Sequence, residues 1–328
     1  MRYISVSPES LSESQAESLL LTPKNKLALD IETVSIENPL PLGIGLATDE
    51  STGFYFFNVR DPMLKDIFAC SETILVHNGK FDIGLLRELG YTIDNYDDTK
   101  LLAYSCGILD NSLKALSTSI LQRECPSVTD QWKKPNQGNI GINHVVMGRI
   151  CITHARNTYA LEQRLPKTDL YRSIDKPSIE LLIEMESTGL LVDQYRLTRV
   201  EQAVMNRVQP LERELLEELQ IDNLNSNPQV AEALRVRGII GTRKTKSDKM
   251  SVSDESLSPL SLPITDKILK YRSLVKTIST YVPAFRKVDH KGRIHTRYGN
   301  TDTGRWKSSA PNLQNITRDD KFDSEEED

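Results

Sequence analysis

Apolar and polar residues alternate through residues 27–34, LALDIETV, in a stretch rich in strand formers, which predicts a β-strand. Residues 43–48, GIGLAT, and 53–59, GFYFFNV, predict two more strands with DEST in the turn between them. Residues 73–76, ending at Val76, form a short buried strand, and Leu85, Leu86 and Leu89 after it have helical spacing. Helices are predicted over 99–106 and 112–121. Strands alternating with helices predict an α/β domain with a mixed sheet, ending near residue 165. From Lys176 the pattern turns helical, first in PSIELLIEMESTG and then from Gln194 to Leu219. A turn follows at Asn225–Pro228, with Asn227 placed to cap a helix begun at Pro228. Residues 241–262 are polar and Ser-rich without a core pattern, and predict an exposed, mobile tip. A helix over 264–281 returns the chain, and VDHKGRIHTRYGNT reads as strands around a Gly-containing turn. There is no internal repeat.

Composition narrows the class. A chain of 328 residues, 38% hydrophobic and 27% charged, is long enough for two globular domains with their own cores. No apolar run approaches the roughly 18 residues of a membrane span, and the N-terminus lacks a basic stretch followed by an apolar core. Cys70, Cys106, Cys125 and Cys151 are scattered, without a CxxC pair, and read as reduced thiols of a cytoplasmic protein. The net charge of −5 is concentrated in residues 319–328, DDKFDSEEED, which carry −6 and predict a disordered tail. From Lys270 to Lys307, ten Lys and Arg stand against Asp289 and Asp302, a basic segment suited to phosphates or to a solvated face.

Asp30 and Glu32 stand two apart on the first predicted strand, so both carboxylates point to one face. Adjacent carboxylates repel each other and lose hydration on burial, and a divalent cation relieves both costs. A lone D-x-E is common, and a solvated strand face explains it more simply than a metal site. In VHNGKFDIGLL, Asn78, Phe81 and Asp82 follow a strand and open a helix, where the dipole alone favours an acid.

Taken together with YDDTKLLAYSCG and NSLKAL, this order resembles the 3′–5′ exonuclease domain of family A DNA polymerases, over roughly residues 25–165. That domain is a member of the DEDD group with a ribonuclease H-like fold. Asp30 and Glu32 resemble its first motif, Asn78-x-x-Phe81-Asp82 its second, and Asp98-Thr99 the helix that follows. The resemblance implies two-metal hydrolysis of DNA 3′ ends, with Asp30, Glu32 and Asp82 ligating Mg²⁺ or Mn²⁺ and Asn78 and Phe81 touching DNA. Phe81 serves equally well as plain core. The third motif, Tyr-x-x-x-Asp in the family, departs here. The best register of ICITHARNTYALEQRL puts Thr153 and Asn157 in those places, and a one-residue shift offers His154 and Thr158. Asn157 supplies a neutral oxygen and no charge, so the second of two expected ions binds weakly and hydrolysis is reduced or absent.

The later half resembles the polymerase portion of the same family. IELLIEMESTGLLVD, NLNSNPQVAEAL and DKILKYRSLVKTISTYVPAF resemble its opening helix, thumb entrance and thumb return; Lys270, Arg272 and Lys276 are placed to track phosphates. GRIHTRYGNTDTGRWKSSAPNLQNI resembles the run from the palm strands into the primer-gripping loop. The resemblance implies DNA contacts from Arg305, Lys307, Asn312, Gln314 and Asn315, made to minor-groove groups common to all base pairs. The palm aspartates and fingers of the family do not follow Ile316. The expected fold is therefore an α/β, ribonuclease H-like (DEDD exonuclease) domain with a mixed sheet, followed by a mainly helical thumb and a partial palm. Its parts fall at 1–170, 171–265 and 266–318, with the acidic tail at 319–328. The expected function is that of an N-terminal portion of a family A DNA polymerase acting in replication: a 3′–5′ exonuclease, not a polymerase by itself. It would bind primer–template and single-stranded 3′ ends in a bacterial or phage-infected cytoplasm, with no membrane contact and with palm and fingers on a separate chain. The alternative is a non-catalytic DNA-binding and assembly subunit of a split polymerase.

Overall fold

The computed structural model describes residues 2–8, 10–34, 39–127, 143–245 and 247–316. The tail expected to be disordered lies outside them. The chain forms two compact units, Met1–Met185 and Glu186–Asp328, and the division falls inside the helix Lys176–Thr188. The sequence pattern placed a change near residue 170. The first unit runs further because Tyr171, Ile179 and Ile183 belong to its core, and the Tyr171 hydroxyl donates to Asp97 Oδ1 at 3.0 Å.

The first unit is built on a six-stranded mixed sheet in the order β1-β4-β3-β2-β5-β6. The strands are β1 (Tyr3–Val6), β2 (Lys24–Thr33), β3 (Pro41–Ala47), β4 (Gly53–Phe56), β5 (Ser71–Val76) and β6 (Tyr96–Asp98). β2 lies inside the sheet, antiparallel to β3 and parallel to β5. Its odd positions, Leu27, Leu29 and Ile31, join the main core with Ile44, Leu46, Phe54, Phe56 and Val76. Its even position Ala28 packs with Ala47, Leu75 and Ala155 on the other face. Period-two alternation thus sends Asp30 and Glu32 to the same side as Ala28.

That side is covered by the helix His144–Arg164, here α6 after α1 (Glu13–Leu21), α2 (Pro62–Ala69), α3 (Gly79–Glu88), α4 (Thr99–Ser105) and α5 (Leu113–Leu116). The approach is close. A Cβ at Gly45, the ladder partner of Asp30, would lie 2.7 Å from the Cys151 carbonyl carbon. Small residues on the sheet and the missing side chain at Gly45 let the helix press its Cys151–Ala155 turn against the carboxylate end of β2.

The second unit, which begins inside α7 (Lys176–Thr188), has a helical core. Val204, Val208, Leu215 and Leu219 line one face of α8 (Gln194–Leu219), the spacing of an amphipathic helix. They pack on Val230 and Leu234 of α9 (Asn227–Val236) and on Ile264, Ile268, Tyr271 and Leu274 of α11 (Pro263–Lys276). Three local expectations are corrected. Residues 241–262 are not a free tip: Val252 and Leu257 are buried in this core, Leu257 within a short helix, α10 (Asp254–Leu257). Scattered single apolar residues carry no period, so the pattern hid them. Asn227 does not cap α9. The cap position is Ser226, and Asn227 Oδ1 instead accepts from Arg272 Nη2 at 2.9 Å. The strands β8 (Arg293–Ile294) and β9 (Arg297–Asn300) do not pair with each other. β8 pairs with β7 (Leu190–Leu191), and β9 with β10 (Trp306–Ser309). Among the described residues no helix is long and apolar enough to cross a membrane.

Candidate functional site

The acid pocket of the first unit sits where β2 meets α6 and the start of α3. Asp30 Oδ2 lies 3.4 Å from His154 Nδ1, and Glu32 Oε1 lies 3.6 Å from the same nitrogen. Ligand atoms of Asp30, Glu32 and His154 all fall within 4.8 Å of one another. Asp82, in the first turn of α3, is 5% exposed and accepts a hydrogen bond from the Ile31 backbone between the two acids. Burial, then the charges of Asp30, Asp98 and Glu32, hold its carboxyl well above the usual range. Glu32 is pushed up to about 7 by burial and by Asp30, with His154 pulling the other way. For His154, burial opposes the charged ring, but Asp30 and a hydrogen bond with Cys125 outweigh it and carry the ring to about 11. In the absence of a metal, an imidazolium therefore offsets one carboxylate charge. Cys151, one turn before His154, is fully buried and donates its thiol to Asp30 Oδ2 at 3.2 Å, fixing that carboxylate.

The α3 end of the pocket is held by Asp98. Its carboxylate accepts from the backbone N–H of Asn78 and Gly79 at 3.1 and 2.7 Å and from those of Lys100 and Leu101 at 2.8 and 3.4 Å. One buried acid thus satisfies the orphan donors of two helix N-termini, α3 and α4. Asn78 has left-handed backbone, φ 75°, makes no side-chain cap, and accepts from Lys100 Nζ at 3.2 Å. Phe81 is half-buried against the main core.

The residues fit a two-ion, oxygen-only centre poorly. Asn157 is 2% exposed and its amide donates to the Glu124 carbonyl at 3.1 Å; Thr153 returns its hydroxyl to Arg149 of its own helix. Neither brings a charge to the pocket. Two carboxylate oxygens and one imidazole nitrogen fit a single divalent ion.

In the second unit, the β9–β10 hairpin leads into a short helix Leu313–Asn315. Asn312 Oδ1 caps it, accepting from the backbone of Gln314 and Asn315. Gln314 uses both ends of its amide on β10, accepting from Ser308 N at 3.0 Å and donating to the Trp306 carbonyl at 2.9 Å. The Tyr281 hydroxyl donates to the Asn315 carbonyl. Arg305 and Lys307 are exposed on the hairpin. Asn312 and Gln314 thus shape the loop, whereas Arg305 and Lys307 project from it.

Residues 194–326 match the family model for DNA polymerase family A. The DNA polymerase I of Rhizobium leguminosarum is 30% identical over 302 residues, 84% of this chain and 29% of that protein. That of Chloroflexus aurantiacus is 32% identical over 266 residues, 73% of this chain and 28% of that protein. This chain is a relative of the family A DNA polymerases. It spans less than a third of the length of these two relatives. The POL domain of Pol1 from M. smegmatis, solved in complex with DNA primer-template and dNTP, matches with a TM-score of 0.70 at 20% identity. That match covers 93% of this chain and 54% of the other, and at this identity it is a likeness of fold alone.

In this polymerase relative, the structure gathers Asp30, Glu32 and Asp82 around one end of β2 and leaves Asn157 facing a loop carbonyl. Sequence reasoning missed His154 as a member of the site. The signal was present as the one-residue shift of the third motif, but neither a tyrosine nor an acid stood there to mark it. It also missed Cys151, three residues earlier on the same helical face, and the double cap at Asp98. The basic segment is less free than its charge count. Arg272 is turned onto the Val252 carbonyl and Asn227, Arg286 pairs with Glu201, and Arg293 donates to the Gly189 carbonyl. The Arg272 guanidinium thus ties the Val252 and Asn227 segments to the helix Pro263–Lys276.

Proposed function

We propose that this chain holds DNA as part of a family A replication polymerase, through an exonuclease-type first unit whose hydrolysis of 3′ ends is strongly impaired. The reading of the first unit as a ribonuclease H-like, DEDD-type domain draws on its mixed sheet and on Asp30, Glu32 and Asp82 meeting at one end of β2. The impairment rests chiefly on one observation: His154 stands against both first-motif carboxylates while Asn157 and Thr153 are turned to backbone carbonyls. A divalent ion held by Asp30 and Glu32 would supply charge neutralisation at a scissile phosphate. The chain's own groups do little of the remaining work. Among the described residues no tyrosine hydroxyl or fourth acid is placed to orient a water. In the second unit, Arg305 and Lys307 carry the DNA contact, with Asn312 and Gln314 holding the loop that presents them.

Degradation of 3′-labelled single-stranded DNA in Mg²⁺ tests this. The wild-type rate should lie close to that of Asp30→Ala, at least about 100-fold below what general acid–base and metal assistance normally add. Rapid degradation abolished by Asp30→Ala would overturn the impairment.

A second reading, an assembly subunit completed by a separate chain carrying palm and fingers, is favoured by the two-stranded sheets β7–β8 and β9–β10. Such short pairs are marginal alone and their open edges invite further strands. Coexpression with a palm-and-fingers polypeptide should give copurification and primer extension; two proteins that elute separately would exclude it.

A further inference from the structure

We propose that the pocket formed by Asp30, Glu32 and His154 is a site for one borderline transition-metal ion of the Zn²⁺ class, with His154 Nδ1 as a ligand, and not for a pair of Mg²⁺ ions. The assignment rests on the same pocket as the exonuclease-type reading, but it needs no hydrolysis.

The argument turns on the ring's second nitrogen. His154 Nε2 lies 2.7 Å from the Pro126 carbonyl oxygen. A carbonyl only accepts, so Nε2 carries the hydrogen. The neutral ring then has its lone pair on Nδ1, and Nδ1 faces Asp30 Oδ2 at 3.4 Å and Glu32 Oε1 at 3.6 Å. Without a metal, a proton on Nδ1 answers the two carboxylates; a divalent cation that displaces that proton meets the Nδ1 lone pair and both carboxylates already converging. A carbonyl that fixes the tautomer and leaves the other nitrogen for the ion is the usual support of a histidine metal ligand. The remaining surroundings agree. Cys151 donates to Asp30 Oδ2 and so orients that carboxylate.

Donor type selects the ion. Imidazole nitrogen binds Zn²⁺ and its neighbours in the first row well, whereas Mg²⁺ prefers oxygen and keeps its waters. Three protein ligands at one ion leave a position open, as at catalytic zinc centres. A second ion would have buried Asp82 but no partner from the third motif, since Asn157 is turned to the Glu124 carbonyl.

Calorimetric titration of the whole chain with Zn²⁺, Co²⁺ and Mg²⁺ in turn tests the site. Zn²⁺ should bind with one-to-one stoichiometry at least about 100-fold more tightly than Mg²⁺, given the imidazole ligand. Bound Co²⁺ should show visible ligand-field bands that Zn²⁺ displaces. His154→Asn should weaken Zn²⁺ at least about tenfold and change Mg²⁺ affinity little. His154→Gln is the second variant, with far-ultraviolet dichroism checking that both stay folded. Exposed Cys106 is a competing thiol, so Cys106→Ala should leave the titration unchanged. Zn²⁺ affinity equal in wild type and both His154 variants, Mg²⁺ bound as tightly as Zn²⁺, or no saturable binding would each overturn the proposal. The exonuclease-type reading fails separately, through the DNA degradation assay.

Discussion

Asp97 and Asp98 are neighbours in sequence with opposite tasks, because adjacent strand residues face opposite sides of the sheet. Asp98 serves two helix N-termini, so Asp98→Ala leaves four backbone donors without their acceptor. The expected cost is about 3 kcal/mol or more, read as a lower urea midpoint for the first unit. A loss below about 1 kcal/mol would show that water replaces the carboxylate. Asp97 is 3% exposed and meets Lys167 Nζ at 2.5 Å and Lys176 Nζ at 3.3 Å. Burial alone would raise its carboxyl, but the Lys167 hydrogen bond, the charges of Lys176 and Lys167, and the Tyr171 hydroxyl together hold it below the ordinary value. A depressed folded-state pKa contributes stability that is complete above the unfolded value of about 3.9 and disappears as pH falls through the folded one. Asp97→Asn should therefore be less stable than wild type at pH 7, by about 1–3 kcal/mol, with the gap closing below about pH 4. A gap independent of pH would assign the loss to packing. Of the pocket, Asp30, Glu32 and Asp82 were legible because strand period and helix-start chemistry are local. His154 was not, because its role depends on the Pro126 carbonyl and on a helix more than a hundred residues from β2.

The element that makes the pocket is α6, laid against β2 and β3 with almost no clearance at Gly45. Gly45→Ala should push the helix off the sheet, destabilising the first unit by about 1–3 kcal/mol as an overpacked core does. It should also weaken metal binding, since His154 and Cys151 ride on that helix. Calorimetry on the variant reads both; unchanged metal affinity with lowered stability would show that the helix pivots about its His154 end. The strands of this unit were readable from alternation and the long helices from their apolar faces. What could not be read were elements whose residues are few. β7 and β8 are two residues each, and Val252 and Leu257 are single anchors in a polar stretch, so no period exists to detect. Caps were also ambiguous, since Asn227 and Ser226 are both good cap residues and only the tertiary contact with Arg272 decides between them.

At the scale of the whole molecule, two units with separate cores carry separate chemistry: an acid pocket with a histidine in the first, an exposed basic hairpin in the second. The family was legible from ordered motifs, because the hairpin run from Gly292 to Ile316 holds its residue order. Which cations are free was not, since linear charge ignores pairing. Arg305→Ala should weaken primer–template binding about five- to tenfold, to a similar extent for different sequences. Fluorescence anisotropy with two unrelated duplexes reads this, and a loss confined to one sequence would contradict a sequence-tolerant grip. The central claim is that the pocket takes one ion and takes it through His154. Anomalous diffraction at the zinc edge, from crystals soaked in Zn²⁺ with Mg²⁺ in excess, counts the ions directly. One peak bonded to Asp30, Glu32 and His154 Nδ1 is the expected result; two peaks, with the imidazole swung away from both, would contradict it.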